Sequence, residues 1–133
     1  MEVELVDSEW ERVQLLLSLL AHAEKAQHAF SAEQGPTMHA VLPALEALFK
    51  AWSLRKNMLK YVNFTDALDA GLSKISEYYQ RTATSDAHII AMLLDPAQKL
   101  NHIRLYWGEE LLPEAIKHAE VIVSFFKVIL LRF

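Results

Sequence analysis

The residues able to do chemistry in this chain are few and scattered. Six histidines (His22, His28, His39, His88, His102 and His118) supply imidazole, and there is no cysteine. Without cysteine there is no disulfide, thiolate zinc finger, iron–sulfur cluster or thiol nucleophile. The closest approach to metal-ligand spacing is Glu114 with His118, four residues apart and so on one face of a helix. Two ligands fall short of the three or four that zinc requires, so an exposed pair is expected, with no metal and no cofactor. Asp66 with Asp69, and Glu109 with Glu110, are the nearest carboxylate pairs. Acids gather at helix starts because they meet the positive end of the macrodipole, and that accounts for both. A glycine-rich phosphate loop, a G-x-S-x-G elbow and an H-E-x-x-H helix are all absent. No catalytic residue is assigned. One alternative keeps acid/base chemistry open: a helical bundle around a small apolar ligand, with His88, His102 or His118 as the titrating group.

Arg55, Lys56 and Lys60 cluster near Trp52 and Tyr61. Cations interleaved with aromatics are what a phosphate-and-base surface uses. With Lys99 and Arg104 they form the candidate nucleic-acid contact. The charge balance weighs against it: 13 Lys+Arg face 17 Asp+Glu, a formal net charge of -4. A nucleic-acid surface wants a basic field.

The elements that must position these groups are helices. Only 3 Gly and 4 Pro punctuate 133 residues, 53% of which are hydrophobic. No Asn-Gly or Asp-Gly hairpin signal occurs. The expected fold is all-α, one helical-bundle domain of about five to six helices spanning residues 1–133. Ser8 and Glu11 have capping-box spacing. Trp10, Val13, Leu16, Leu17, Leu20 and Ala21 follow as the core-facing stripe of a first helix to about Phe30, closed by Gln34-Gly35-Pro36. A second helix opens at Pro36 or Thr37 with the stripe Val41, Leu45, Leu48, Phe49 and Trp52. Ser53 to Asn63 is a continuation or a loop. Asn63 or Thr65 caps a third helix, about Asp66 to Arg81, with Leu68, Leu72, Ile75 and Tyr79 on one face. Ser85 caps a short helix whose Ile89, Ile90, Met92, Leu93 and Leu94 are core. Asp95-Pro96 is a helix junction, because aspartate suits the N-cap and proline the first helical position. The next helix carries Leu100, Ile103 and Trp107, and Gly108 ends it.

A last helix begins between Glu109 and Pro113. Its end, VIVSFFKVILLRF, is apolar on nearly every side. Thirteen residues are too few to span a bilayer, and a helix apolar all round is normally buried. Val121, Ile122, Phe125, Phe126, Ile129 and Phe133 are either core or an interface. The acidic start MEVELVDSEWE lacks the basic and apolar regions of a signal peptide. An intracellular protein, nuclear or cytoplasmic, is expected.

Two stretches carry a resemblance: Tyr78-Tyr79-Gln80-Arg81-Thr82, and Ser85-Asp86-Ala87-His88-Ile89-Ile90-Ala91-Met92-Leu93-Leu94-Asp95-Pro96-Ala97-Gln98-Lys99-Leu100 with Trp107 after it. Together they resemble hAT-superfamily transposases, especially fungal members. Residues 78–107 are the specific part, and Pro36 to Trp52 is similar more loosely. Ala97, Gln98 and His88 depart from the pattern, which has arginine, a bulky residue and an aromatic there. Leu94, Asp95, Pro96, Lys99 and Trp107 match it, in what reads as a structural motif. The resemblance implies the helical insertion region of such a transposase, standing apart as a truncated or domesticated piece. It implies neither a BED zinc finger nor an RNase H-like catalytic centre here, because the matching cysteines and acids are missing. The expected function is a non-catalytic interaction module that self-associates, as a homodimer, or binds another protein.

Overall fold

Long helices follow from a chain short of breakers, and among the described residues the computed structural model has five α-helices. Residues 4–31, 37–95, 97 and 101–130 are described, with backbone alone at Tyr106, Phe126 and 128–130. The α-helices are α1 (Asp7–Phe30), α2 (Val41–Lys56), α3 (Thr65–Ala83), α4 (Asp86–Leu94) and α5 (Leu112–Leu130). Tight 3-10 turns at Met38–Ala40 and Leu59–Phe64 lead into α2 and α3, and a π-helical turn covers Ile103–Trp107. Among the described residues no strand occurs, so the all-α expectation holds.

Local signals set most of the boundaries. Ser85 is the N-cap of α4, its carbonyl accepting the N–H groups of His88 and Ile89. Helix α4 stops at Leu94, and Asp95 Oδ1 accepts the Ala97 N–H at 2.9 Å. Gly108 closes the π turn at φ 84, a left-handed conformation that glycine tolerates. Two caps differ from expectation. Helix α1 begins one residue before Ser8, and Glu9, not Glu11, reaches back to the Val6 N–H at 3.0 Å. Thr65 does not cap α3. Its hydroxyl instead donates to the Val62 carbonyl at 2.8 Å, closing the preceding turn. The Gln34-Gly35-Pro36 stop and the expected helix start at Pro36 or Pro96 lie outside the described residues.

Helix α2 is the central element. One of its sides, Ala44 and Leu48, packs with Ala26 of α1 and Ile75 of α3. Its other side, Leu42, packs with Met92 of α4, Ile103 of the π turn and Ala115 of α5. A third cluster joins Leu19, Tyr61 and Leu68. Trp52 bridges the first and third clusters, and its indole N–H donates to the Leu19 carbonyl at 3.1 Å.

Three expected core faces are corrected. In α2 the buried residues are Leu42, Ala44 and Leu48, while Phe49 is exposed. The helix serves two clusters, so its buried surface is wider than one stripe. In α4, Leu94 at the last turn is 75% exposed, although its neighbours Ile89 and Met92 are buried. In α1, Trp10, Val13, Leu16, Leu17, Leu20 and Ala21 face solvent, and the core takes Leu19 and Ala26 from the opposite face. Helix α1 is apolar on two sides, and the sequence alone does not say which side the bundle uses.

Gly71 sits mid-helix in α3 because the Trp52 ring lies over it. A Cβ there would fall 2.5 Å from Trp52 Cζ3. Overpacking of this kind costs about 1–3 kcal/mol, against a helix-propensity gain of about 1 kcal/mol for alanine. Gly71→Ala is therefore expected to lose about 1 kcal/mol net in urea unfolding, the reverse of the usual effect of Gly→Ala in a helix.

Candidate functional site

The apolar end of the chain is the first candidate surface. Helix α5 is anchored at its start, where Ala115 is buried against Leu42, Met92 and Ile103. Beyond that turn Ile116 and Ala119 are half-buried. Val121, Val123 and Phe125 are 59%, 60% and 64% exposed, and Ile122 is half-buried. The expectation that an all-apolar helix is buried is not met at Val121 and Val123, which are mostly exposed. Ile122 lies on the covered side, and Val121 and Phe125, four apart, share the open one. The Phe126 and Ile129 side chains and all of Phe133 lie outside what is described. Among the described residues no helix is long and apolar enough to cross a membrane.

The basic residues near Trp52 are largely engaged within the fold. Arg55 Nη1 donates to the Ala51 carbonyl at 3.1 Å. Lys56 pairs with Asp69 of α3. Lys60 stands 5.2 Å from the centre of the Tyr61 ring, in cation–π range. Arg104 projects from the π turn, exposed and in a different element from the other three. Lys99 lies outside the described residues. Among the described residues no single basic face gathers these side chains.

The histidines are dispersed. His28 pairs with Glu24 at 3.8 Å, and His39 with Asp95 at 3.9 Å. His118 faces Asp86 at 3.4 Å, and with Glu114 it lines a depression of about 200 Å³ whose apolar walls are Ile89, Trp107 and Leu111. His88 is half-buried. His22 is held below its ordinary pKa by burial and by the nearby positive charges of Arg55 and Lys25. Among the described residues no three groups of His, Asp or Glu come together.

Sequence reasoning missed a polar cluster at the centre of the bundle. Glu46 of α2 projects between α3 and the π turn, its side chain 16% exposed. Its Oε1 accepts the Tyr79 hydroxyl at 2.5 Å and the Trp107 indole N–H at 3.4 Å. Trp107 Nε1 also donates to Tyr79 Oη at 2.8 Å. Its Oε2 faces His102 Nε2 at 3.0 Å, and His102 is 5% exposed. The π turn makes this possible. Residues five apart point to different sides of a 3.6-residue helix, but an i→i+5 turn brings them round toward the same side, so both His102 and Trp107 reach Glu46.

Burial alone would raise the Glu46 carboxyl. The His102, Tyr79 and Trp107 donors outweigh it and hold the group below its ordinary pKa. Burial, with the carboxylate beside it, pushes the Tyr79 phenol well above its ordinary value. Glu46 is thus favoured as the carboxylate and Tyr79 as the donor to its Oε1, while Oε2 is buried beside His102. The cluster acts as a joint tying α2, α3 and residues 102–107 together. A pocket of about 390 Å³ opens between α2 and α3, and Glu46 and Tyr79 line it together with Leu45, Phe49, Lys50 and Ile75.

The two ends of the stretch 78–107 meet at this joint. Tyr79 and Trp107 are hydrogen-bonded to each other, and Asp95 holds the α4 exit. Leu94 faces solvent. Pro96 and Lys99 lie outside the described residues. In the comparisons with known proteins, no family model, no curated protein and no solved structure matches the chain.

Proposed function

We propose that the protein is a non-catalytic helical interaction module of hAT-type transposase descent, acting through apolar helix faces by self-association or by binding another protein. The observation that carries this reading is the apolar surface of α5 beyond its anchored start, where Val121 and Val123 are 59% and 60% exposed. Exposed apolar side chains close together are a site for a partner, because covering them releases water at roughly 25 cal/mol per Å². The hAT descent rests on the residue pattern of 78–107. The interior supports a scaffold role, since Glu46 Oε1, the Tyr79 hydroxyl and the Trp107 indole are hydrogen-bonded to one another.

Val121→Asp with Phe125→Asp tests it. Both side chains are exposed, so the circular-dichroism spectrum is expected to stay that of the wild type. The weight-average mass in light scattering is expected to fall at matched concentration. Loss of helix instead would place the two residues in the core, and an unchanged mass would remove α5 from the self-association reading.

A further inference from the structure

The solvent face of α1 carries a strict apolar repeat. Val6, just ahead of the helix, and then Trp10, Val13, Leu17 and Leu20 follow at steps of four, three, four and three residues. Each is between 42% and 65% exposed. The opposite face is already used, with Leu15, Leu19 and Ala26 in or against the core. A surface helix needs one apolar stripe to dock on its own domain. A second stripe at a mean spacing of 3.5 residues is the seam of a two-stranded coiled coil, where each seam residue inserts among four of the facing helix.

We propose that α1 is a dimerisation helix, pairing antiparallel with α1 of a second copy so that Trp10 meets Leu20 and Val13 meets Leu17. Charge selects the partner and the direction. The first half of the helix and its lead-in carry Glu4, Asp7, Glu9 and Glu11 against a single Arg12, whereas the second half balances Glu24 with Lys25 and adds His22 and His28. Parallel pairing would set one acidic end beside the other, which destabilises. Antiparallel pairing sets each acidic end beside the neutral, histidine-bearing end and opposes the two helix dipoles.

In this register residues whose numbers sum to 30 face each other, so the twofold axis passes midway between Val13 and Leu17, as an isologous interface requires, and exposed Leu16 flanks the seam. A depression of about 270 Å³ beside it, lined by Glu9, Arg12, Val13, Leu16 and Phe64, has room for a side chain of the second copy. This surface is separate from α5, and the proposal does not rest on it.

The test uses the Val121→Asp/Phe125→Asp protein, so that α5 contributes nothing. Light scattering is expected to give twice the 15.2 kDa chain mass. Leu17→Glu in that background is expected to raise the dimer Kd at least about tenfold with helicity unchanged. The chain has no cysteine, so single thiols report direction. Val13→Cys mixed with Leu17→Cys is expected to give the mixed disulfide dimer, whereas parallel pairing would give each homodimer. Homodimers alone overturn the antiparallel arrangement. A monomer in the α5-variant background, or a mass that Leu17→Glu does not change, overturns the proposal while leaving the α5 reading intact. If Leu17→Glu dissociates the wild type and the α5 substitutions do not, the α5 reading falls and this one stands.

Discussion

Glu46→Ala is expected to cost about 1–3 kcal/mol of folding stability, the range for leaving buried hydrogen-bond donors without their acceptor. The substitution removes the acceptor of two donors, the Tyr79 hydroxyl and the Trp107 indole, and the carboxylate beside His102. It also opens space where α2, α3 and the π turn meet. Glu46→Gln keeps the shape and one acceptor, so it is expected to lose less. The two variants also separate in acid. The Glu46 carboxyl is held below its ordinary pKa in the folded state, so its stabilisation is present above the usual carboxyl range, about pH 4–5, and is lost as pH falls through the folded value. Glu46→Gln carries no such titration. Its urea midpoint is expected to fall less steeply than that of the wild type on acidification. Equal slopes would show that Glu46 is not a carboxylate held by these donors.

Trp52→Ala is expected to cost about 3 kcal/mol, the low end for emptying a tryptophan site because the ring is only partly buried. Trp52 touches two of the three core clusters and donates to the Leu19 carbonyl, so one side chain fastens α1, α2 and α3. Trp52→Phe keeps most of the ring and gives up the N–H, so about 1 kcal/mol is expected from that bond. The position also couples to Gly71. With Trp52 truncated, nothing crowds a Cβ at residue 71, and Gly71→Ala is expected to become neutral or stabilising in that background. Additive effects of the two substitutions in urea unfolding would contradict the contact.

The fold was legible where the signal was local. Asp95-Pro96 marked the end of α4, Ser85 its start and Gly108 the end of the π turn, because caps and left-handed glycines depend on a few adjacent residues. The Leu68-to-Tyr79 face was legible because α3 has one apolar stripe, with Leu68 and Ile75 buried and Tyr79 half-buried. The α1 face was not legible, because Trp10, Val13, Leu17 and Leu20 form as good a stripe as Leu15, Leu19 and Ala26. Periodicity finds a face without saying what covers it.

The Glu46 joint escaped for a different reason. Its partners lie 33 and 61 residues away at Tyr79 and Trp107, and nothing at those spacings announces a contact. A signal was present in α2. Glu46 stands one helical turn after Leu42 and one residue after Leu45, a lone acid in a run otherwise apolar from Val41 to Phe49, and an acid in that register needs donors around it. His102 and Trp107 share a side only through a π turn, which the sequence does not mark.

The central claim is that this chain presents apolar helix faces to be covered by another chain. Multi-angle light scattering of the wild-type protein over a hundredfold concentration range tests it most directly. The weight-average mass is expected to rise with concentration to at least twice the 15.2 kDa chain, as mass action requires. A mass of one chain at every concentration would contradict self-association through α1 and α5.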